Sequence, residues 1–187
     1  MELILIRHPR ATVAPDSCVG HLDVDCAAGW EGHADRLQRM LVAPERLIAS
    51  PLRRCSGIAA RLGAAWSVAP EFDPRLMELN FGAWEGRRWS EIDRREQDPW
   101  PAGQLDSAPP GGESYNELLE RIDAFRADLG TSFQRIALVT HAGPIRALLT
   151  RCLGLQPAAG WRFDIGYGRV SRLAERDGAW RLEALNA

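Results

Sequence analysis

The chain has 187 residues, 45% of them hydrophobic, which is enough for one globular domain with a sizeable buried core. Its formal net charge of -2 at pH 7 argues against attachment to nucleic acid or to an anionic membrane through bulk charge. The chain contains no lysine, which excludes a Schiff-base lysine and a Walker-type phosphate loop, so any anion site must use arginine, histidine or backbone N–H groups.

The first predicted element is a short buried strand, Leu3–Ile6. Arg7 ends this apolar run at once, so it is too short for a signal peptide, and no run in the chain approaches the length of a membrane span. The four cysteines form neither a Cys-x-x-Cys pair nor a cluster at zinc-binding spacing. We therefore expect a cytoplasmic protein that forms one domain over residues 1–187, with reduced thiols, no metal, no cofactor, and no nucleic-acid or membrane partner.

Two further apolar runs, Leu47–Ala49 and Ile136–Val139, are predicted strands, and each is followed directly by the start of a helix. After the first run, Ser50 offers a cap and Pro51 suits the first helical position. After the second, His141 leads through Gly-Pro into a helical apolar pattern. Strands that alternate with helices predict a largely parallel sheet covered by helices on both faces.

The remaining segments complete the predicted fold. Two amphipathic helices are expected, one around Leu37–Leu41 and one that begins behind a Ser114 cap. Residues 98–112, rich in proline and glycine, form either a lid over the site or a passive surface loop. Arg169–Glu175 and Trp180–Leu185 predict a hairpin at a sheet edge. The fold class is therefore α/β, a three-layer αβα sandwich with a mostly parallel central sheet and an edge hairpin.

Polar side chains follow all three predicted parallel strands. Arg7 and His8 come after the first strand, residues 50–54 with their arginines after the second, and His141 after the third. Because ligands bind beyond the carboxyl ends of parallel strands, these groups are expected to share one crevice. Guanidinium and imidazole both suit phosphate, so the pattern predicts an oxyanion pocket that needs neither metal nor lysine.

Five separated segments, in this order, resemble the histidine phosphatase superfamily, whose fold is phosphoglycerate mutase-like: Leu5–His8, Ser50–Arg54, Leu76–Glu78 with Phe81–Gly86, Gly111–Ser114, and Val139–Arg146. The resemblance implies a metal-independent enzyme that moves a phosphoryl group from a small phosphorylated metabolite onto a histidine and then onto water.

Carried over to the matching positions, the resemblance assigns five catalytic residues. His8 is the nucleophile that becomes phosphohistidine. Arg7, Arg54 and His141 bind the oxygens of the transferring phosphoryl group, and Glu78 protonates the leaving group. These roles agree with general chemistry, because neutral imidazole attacks phosphorus, fixed cations spread the developing charge, and a carboxylic acid supplies the proton.

Other positions of these segments carry further expectations. Arg53 is expected to face solvent, and Glu85 is expected to fix its loop rather than to take part in the chemistry. The superfamily usually has Gly after the catalytic histidine, then an acidic or amide residue and Thr, whereas this chain has Pro9, Arg10 and Ala11. Proline removes one backbone donor from the predicted pocket.

Within the superfamily, Val13–Val24, Gln97–Trp100 and Pro110–Ser114 resemble the alpha-ribazole phosphatase branch, which acts late in cobalamin nucleotide-loop assembly. That branch tends to have Tyr and Arg where this chain has Val19 and His21. The resemblance implies alpha-ribazole 5'-phosphate as a substrate.

Trp100 is expected either to stack on the flat base of that substrate or to pack its own loop onto the domain. Two other functions stay open, namely a phosphoglycerate mutase and a non-catalytic phosphoprotein-binding domain. The sequence does not indicate an oligomeric state.

Overall fold

A computed structural model describes residues 1–97, 104–130 and 132–187. The strands and α-helices of this part are, in chain order, β1 (Glu2–Arg7), α1 (Trp30–Met40), β2 (Arg46–Ala49), α2 (Arg53–Trp66), β3 (Pro70–Phe72), α3 (Arg94–Gln97), α4 (Tyr115–Asp128), β4 (Arg135–Thr140), α5 (Ala142–Cys152), β5 (Val170–Arg176) and β6 (Ala179–Ala184). Short 3₁₀ helices at Pro74–Leu76, Gly82–Trp84, Trp89–Glu91 and Pro157–Arg162 connect them.

The described strands form one sheet in the order β3-β2-β4-β1-β5-β6. The pairs among β1, β2, β3 and β4 are parallel, whereas β5 and β6 are antiparallel and form the edge hairpin. Asp177 and Gly178 make the two-residue turn of this hairpin with φ of 54° and 74°, values that the favoured type I′ turn requires. The predicted α/β fold with a mostly parallel sheet and an edge hairpin is confirmed.

Strand β1 shows why the sheet carries helices on both faces. Leu3 and Leu5 belong to one hydrophobic cluster, which includes the buried side of α4 and α5. Ile4 and Ile6 belong to the other, which includes the buried side of α1 and α2. Because successive side chains of a strand point to opposite faces, a strand that is apolar throughout needs cover on both sides. The result is the three-layer αβα arrangement.

Two boundaries differ from the sequence prediction. The short edge strand β3 was not predicted, because three residues that begin with proline carry no readable alternation. Helix α2 begins at Arg53 rather than at Pro51, and its N-cap is Leu52. The predicted cap at Ser114 is confirmed, since its Oγ accepts a hydrogen bond from Glu117 N at 3.2 Å.

The first half of the predicted loop, residues 98–103 with Trp100, lies outside the described residues. The second half is anchored to the segment that follows Asn80, since Ala83 N donates to Pro110 O at 2.9 Å. No helix in the described ranges is both long and apolar enough to cross a membrane. The single domain over residues 1–187 and the cytoplasmic location stay predictions.

Candidate active site

His8 lies one residue beyond the end of β1 and is 5% exposed. Its backbone N–H donates to Thr140 O at 3.1 Å, and its Nδ1 lies 2.6 Å from Pro9 O. Because a carbonyl oxygen only accepts, Nδ1 must carry the proton and Nε2 keeps its lone pair. Burial, followed by the charges of Arg54 and Arg7, holds the pKa of His8 well below its usual range. The imidazole is therefore neutral at pH 7 and has an unprotonated nitrogen.

Arg7 precedes His8 and is held from two sides. Its Nη1 donates to Ile165 O, and its guanidinium carbon lies 3.6 Å from the centre of the Tyr167 ring, which is a close cation–π contact. Its Nε is buried and has no hydrogen-bond partner in the described part of the chain. Buried donors in proteins are nearly always paired, so this N–H is available to an oxyanion.

Arg54 is buried in the first turn of α2. Its Nη2 donates to Gly20 O at 2.6 Å and its Nη1 to Leu22 O at 2.9 Å, while Nε lies 3.3 Å from Nδ1 of His141. A guanidinium has five N–H donors, so two of them are left for a ligand. The backbone carbonyls of residues 20 and 22 thus fix Arg54 while part of its donor capacity remains free.

His141 is the N-cap residue of α5 and is fully buried. Because Nδ1 accepts from Arg54, Nε2 carries the proton and donates to Ser50 Oγ at 2.9 Å. The ring meets that of His8 edge-on, with 4.9 Å between centroids. Burial, together with the nearby charges of Arg54 and Arg7, lowers the pKa of His141 well below its usual range. Ser50, predicted as a helix cap, instead orients this imidazole.

Glu78 follows the 3₁₀ helix Pro74–Leu76 and is 8% exposed. Its Oε1 accepts from Leu79 N at 3.0 Å and from Gly143 N at 2.9 Å. A Cβ at position 143 would lie 2.2 Å from Oε1 of Glu78, so a larger residue there would displace this carboxylate. The other carboxylate oxygen, Oε2, has no hydrogen-bond partner among the described residues.

Backbone N–H groups at the starts of α2 and α5 are already used by carboxylates of the protein itself. At the start of α5, Gly143 N is used by the carboxylate of Glu78. At the start of α2, Arg53 N donates to Asp23 Oδ1 at 2.7 Å. Carboxylates of the chain itself therefore occupy these donors, because helix N-termini favour negative charge from any source.

A cavity of about 340 Å³ lies at this edge of the sheet. Arg7, His8, Arg54 and Glu78 all line it, so four of the five predicted site residues share one wall. His141 does not line the cavity, but it contacts Arg54, which does. The remaining lining residues are Arg10, Ala11, Val13, Ala14, Pro15, Asp16, Ser17, Val19, Ala27 and Tyr167.

Tyr167 is the main site residue that the sequence analysis missed. It covers Arg7, and its ring centroid lies 5.6 Å from that of His8. Since β5 runs antiparallel to β1, residues just before β5 reach the edge at which β1 ends. A tyrosine between two glycines immediately before the predicted hairpin was therefore a usable signal.

Glu85 fixes its loop and Arg53 faces solvent, as expected. Glu85 accepts from His21 N at 2.6 Å, from Leu22 N and from Phe81 N at 3.1 Å, so it ties its loop to the residues whose carbonyls hold Arg54. The side chain of Arg53 is 56% exposed and pairs with two surface aspartates. All four cysteines are free thiols. In the ranges that the structure describes, no group of three or more His, Cys, Asp or Glu side chains could hold a metal, and metal independence stays a prediction.

Comparisons with known proteins agree with this geometry. A family model described as the histidine phosphatase superfamily (branch 1) matches residues 3–187. The adenosylcobalamin/alpha-ribazole phosphatase of Salmonella typhimurium is 28% identical, with 100% of this chain and 96% of that protein covered. The glucosyl-3-phosphoglycerate phosphatase of Mycolicibacterium vanbaalenii is 29% identical, with coverages of 100% and 94%. The crystal structure of the alpha-ribazole phosphatase from Shigella flexneri superimposes with a TM-score of 0.89 at 26% identity, and covers 100% of this chain and 96% of its own.

Proposed function

The chain belongs to the histidine phosphatase superfamily and is a phosphatase, and we propose that it hydrolyses a small phosphomonoester through a phosphohistidine on His8. The observation that carries the proposal is the state of His8 itself. Its Nδ1 proton is held by Pro9 O, which leaves Nε2 unprotonated in a cavity that Arg7, Arg54 and Glu78 also line.

In the first proposed step, Nε2 of His8 attacks phosphorus and the bond from phosphorus to the leaving oxygen breaks. The unpaired Nε of Arg7 and the two remaining donors of Arg54 bind the phosphoryl oxygens as charge develops on them. Glu78, in its carboxylic acid form, gives its proton to the departing oxygen. The product of this step is an alcohol and the phosphoenzyme.

In the second proposed step, water attacks the phosphohistidine. Glu78, now a carboxylate, takes a proton from the water as the new O–P bond forms and the N–P bond breaks. Inorganic phosphate leaves, and both His8 and Glu78 return to their starting forms. The predicted contact of His141 with a phosphoryl oxygen requires its Nε2–H, the donor of the ring, to leave Ser50 Oγ, because Nδ1 accepts from Arg54.

We propose alpha-ribazole 5'-phosphate as the substrate of this reaction. Relatives named for alpha-ribazole phosphatase activity match the chain over its whole length. The segment Val13–Val24, on which the resemblance to that branch rests, contributes Val13, Ser17 and Val19 to the cavity wall. Residues that line the pocket decide which ester is accepted, and these three residues of the segment line it.

Alpha-ribazole 5'-phosphate is expected to rank first, by several-fold in kcat/KM, when phosphate release is measured over a panel of phosphorylated metabolites. The panel should include glucosyl-3-phosphoglycerate, simple sugar phosphates, and 3-phosphoglycerate with a bisphosphoglycerate primer. A flat ranking would remove the cobalamin substrate and leave the phosphatase. Rapid isomerisation of 3-phosphoglycerate without phosphate release would establish a mutase instead, and no turnover of any ester would favour a binding domain.

Arg10 supports a second candidate, a substrate whose leaving group carries its own negative charge. Arg10 lines the cavity, and its guanidinium carbon lies 5.2 Å from the centre of the Tyr167 ring. In the part of the chain that the structure describes, Arg10 forms no ion pair, whereas Arg53 pairs with Asp23 and Asp25. A carboxylate or second phosphate on the substrate would supply that partner.

The Arg10→Gln variant tests this second candidate with two esters that differ in one group. 3-Phosphoglycerate has a carboxylate where glycerol 3-phosphate has an alcohol. If Arg10 binds the second anion, the substitution lowers kcat/KM for 3-phosphoglycerate by about tenfold and leaves that for glycerol 3-phosphate nearly unchanged. An equal loss for both esters would show that Arg10 contacts the transferring phosphoryl group or the fold.

A further inference from the structure

Arg121 on α4 uses every N–H donor of its guanidinium group, two on the carboxylate of Glu113 and three on backbone carbonyls around Glu78. The side chain is 18% exposed and forms a two-pronged ion pair with Glu113, with Nε–Oε1 at 2.6 Å and Nη2–Oε2 at 2.9 Å. Paired, nearly parallel N–H···O bonds of this kind fix the orientation of both groups. Glu113 belongs to the Gly111–Ser114 segment, for which the proposed reaction provides no use.

The same guanidinium donates to three backbone carbonyls around the leaving-group acid. Nη1 donates to the carbonyls of Arg75 and Met77, the latter at 2.8 Å, and Nη2 donates to Glu78 O at 3.0 Å. With the two bonds to Glu113, all five N–H groups of Arg121 are used. Three of those five bonds therefore hold the backbone on which Glu78 stands.

Glu113 fixes the same segment beyond Glu78. Its backbone N–H donates to Asn80 O at 2.8 Å, and its Oε2 accepts from Asn80 N at 3.1 Å. The Arg121–Glu113 pair thus holds residues on both sides of Glu78. The carboxylate of Glu78 itself is held by two backbone N–H groups, one from Leu79 next to it and one from Gly143. Its position in the cavity depends mainly on where this backbone lies.

We propose that Arg121 is a positioning residue for the protonation of the leaving group, acting through the backbone of Glu78. The inference rests on the proposed function, in which Glu78 supplies that proton. Proton transfer requires the acid within hydrogen-bond reach of the leaving oxygen, and a displacement of about 1 Å can cost on the order of 100-fold in rate. Arg121 is not among the residues that line the cavity, so its effect must pass through the segment it binds.

The test is the dependence of kcat/KM on the leaving group in Arg121→Met, measured over aryl and alkyl phosphates. p-Nitrophenolate leaves readily without being protonated, whereas an alkoxide does not. The variant is expected to lose about 10- to 100-fold on alkyl phosphates and little on p-nitrophenyl phosphate. Arg126→Met, on the same helix and paired with Asp123, is the matched control and should leave the dependence unchanged.

Glu113→Gln weakens the ion pair without removing Arg121, and keeps the inference testable if Arg121→Met is too unstable to assay. Arg121→Lys should not restore the native dependence, because an ammonium cannot reproduce the two-pronged pair. Equal losses on all esters in both Arg121→Met and Glu113→Gln would overturn the inference. Glu78→Gln measured in parallel separates the two claims. If its loss in kcat/KM is equal on aryl and alkyl phosphates, the role proposed for Glu78 fails as well.

Discussion

Replacing His8 with alanine is expected to lower phosphatase turnover by at least about 10⁴-fold and to abolish phosphoenzyme formation. The cavity holds one unprotonated imidazole nitrogen in a position to attack, because the ring of His141 is bound at both nitrogens by Arg54 and Ser50. Phosphate release from p-nitrophenyl phosphate, which needs little help from an acid, measures the loss.

The control for this prediction is His33→Ala, which removes an exposed histidine on α1 that does not line the same cavity. Thermal unfolding of both variants separates loss of the nucleophile from loss of the fold. Turnover of His8→Ala within about tenfold of the native rate would mean that water attacks phosphorus directly, and the covalent route would have to be abandoned.

The Glu78→Gln substitution is expected to reduce kcat/KM for alkyl phosphates by about 10²- to 10⁴-fold, the usual contribution of general acid catalysis. Glutamine has nearly the same shape, and its amide oxygen can still accept from Leu79 N and Gly143 N, so the position of the side chain is kept. It lacks the acidic proton. Esters with good leaving groups should therefore lose far less, and phosphohistidine should still form from them.

A parallel series of esters with the native enzyme gives the reference dependence on the leaving group. The ratio kcat/KM is the appropriate quantity, because it reports steps up to phosphoenzyme formation even when hydrolysis of the phosphoenzyme limits kcat. A uniform loss on good and poor leaving groups would assign Glu78 to phosphoryl binding or to the fold. An unchanged rate on alkyl phosphates would remove it from the mechanism.

The sheet and the strand ends were predictable from the sequence for a physical reason. Buried parallel strands such as Ile136–Val139 are short, apolar and directly followed by polar residues, and their carboxyl ends must meet at one edge. The sequence pattern alone therefore predicts that Arg7, His8 and Arg54 lie close together. The edge strand β3 and the start of α2 were less readable, because local patterns define element ends poorly.

The contacts that orient the site were mostly beyond sequence reasoning. Serine followed by proline predicts a helix cap at Ser50, whereas the N-cap of α2 is Leu52 and the Ser50 hydroxyl binds His141. Gly143 leaves space for the carboxylate of Glu78, a contact between segments distant in the chain. The five bonds of Arg121 likewise join α4 to residues far from it in sequence. Such contacts follow from tertiary packing and carry no local signature.

A covalent phosphoryl group on His8 can be detected by trapping the phosphoenzyme during turnover. The native enzyme is mixed with ³²P-labelled substrate and quenched in alkali, where phosphohistidine survives, and the labelled peptide is then mapped by mass spectrometry. The expected result is one acid-labile phosphoryl group on the peptide that contains His8, and none in His8→Ala. A label on His141, or a burst of phosphate with no labelled protein, would rule out His8 as the nucleophile.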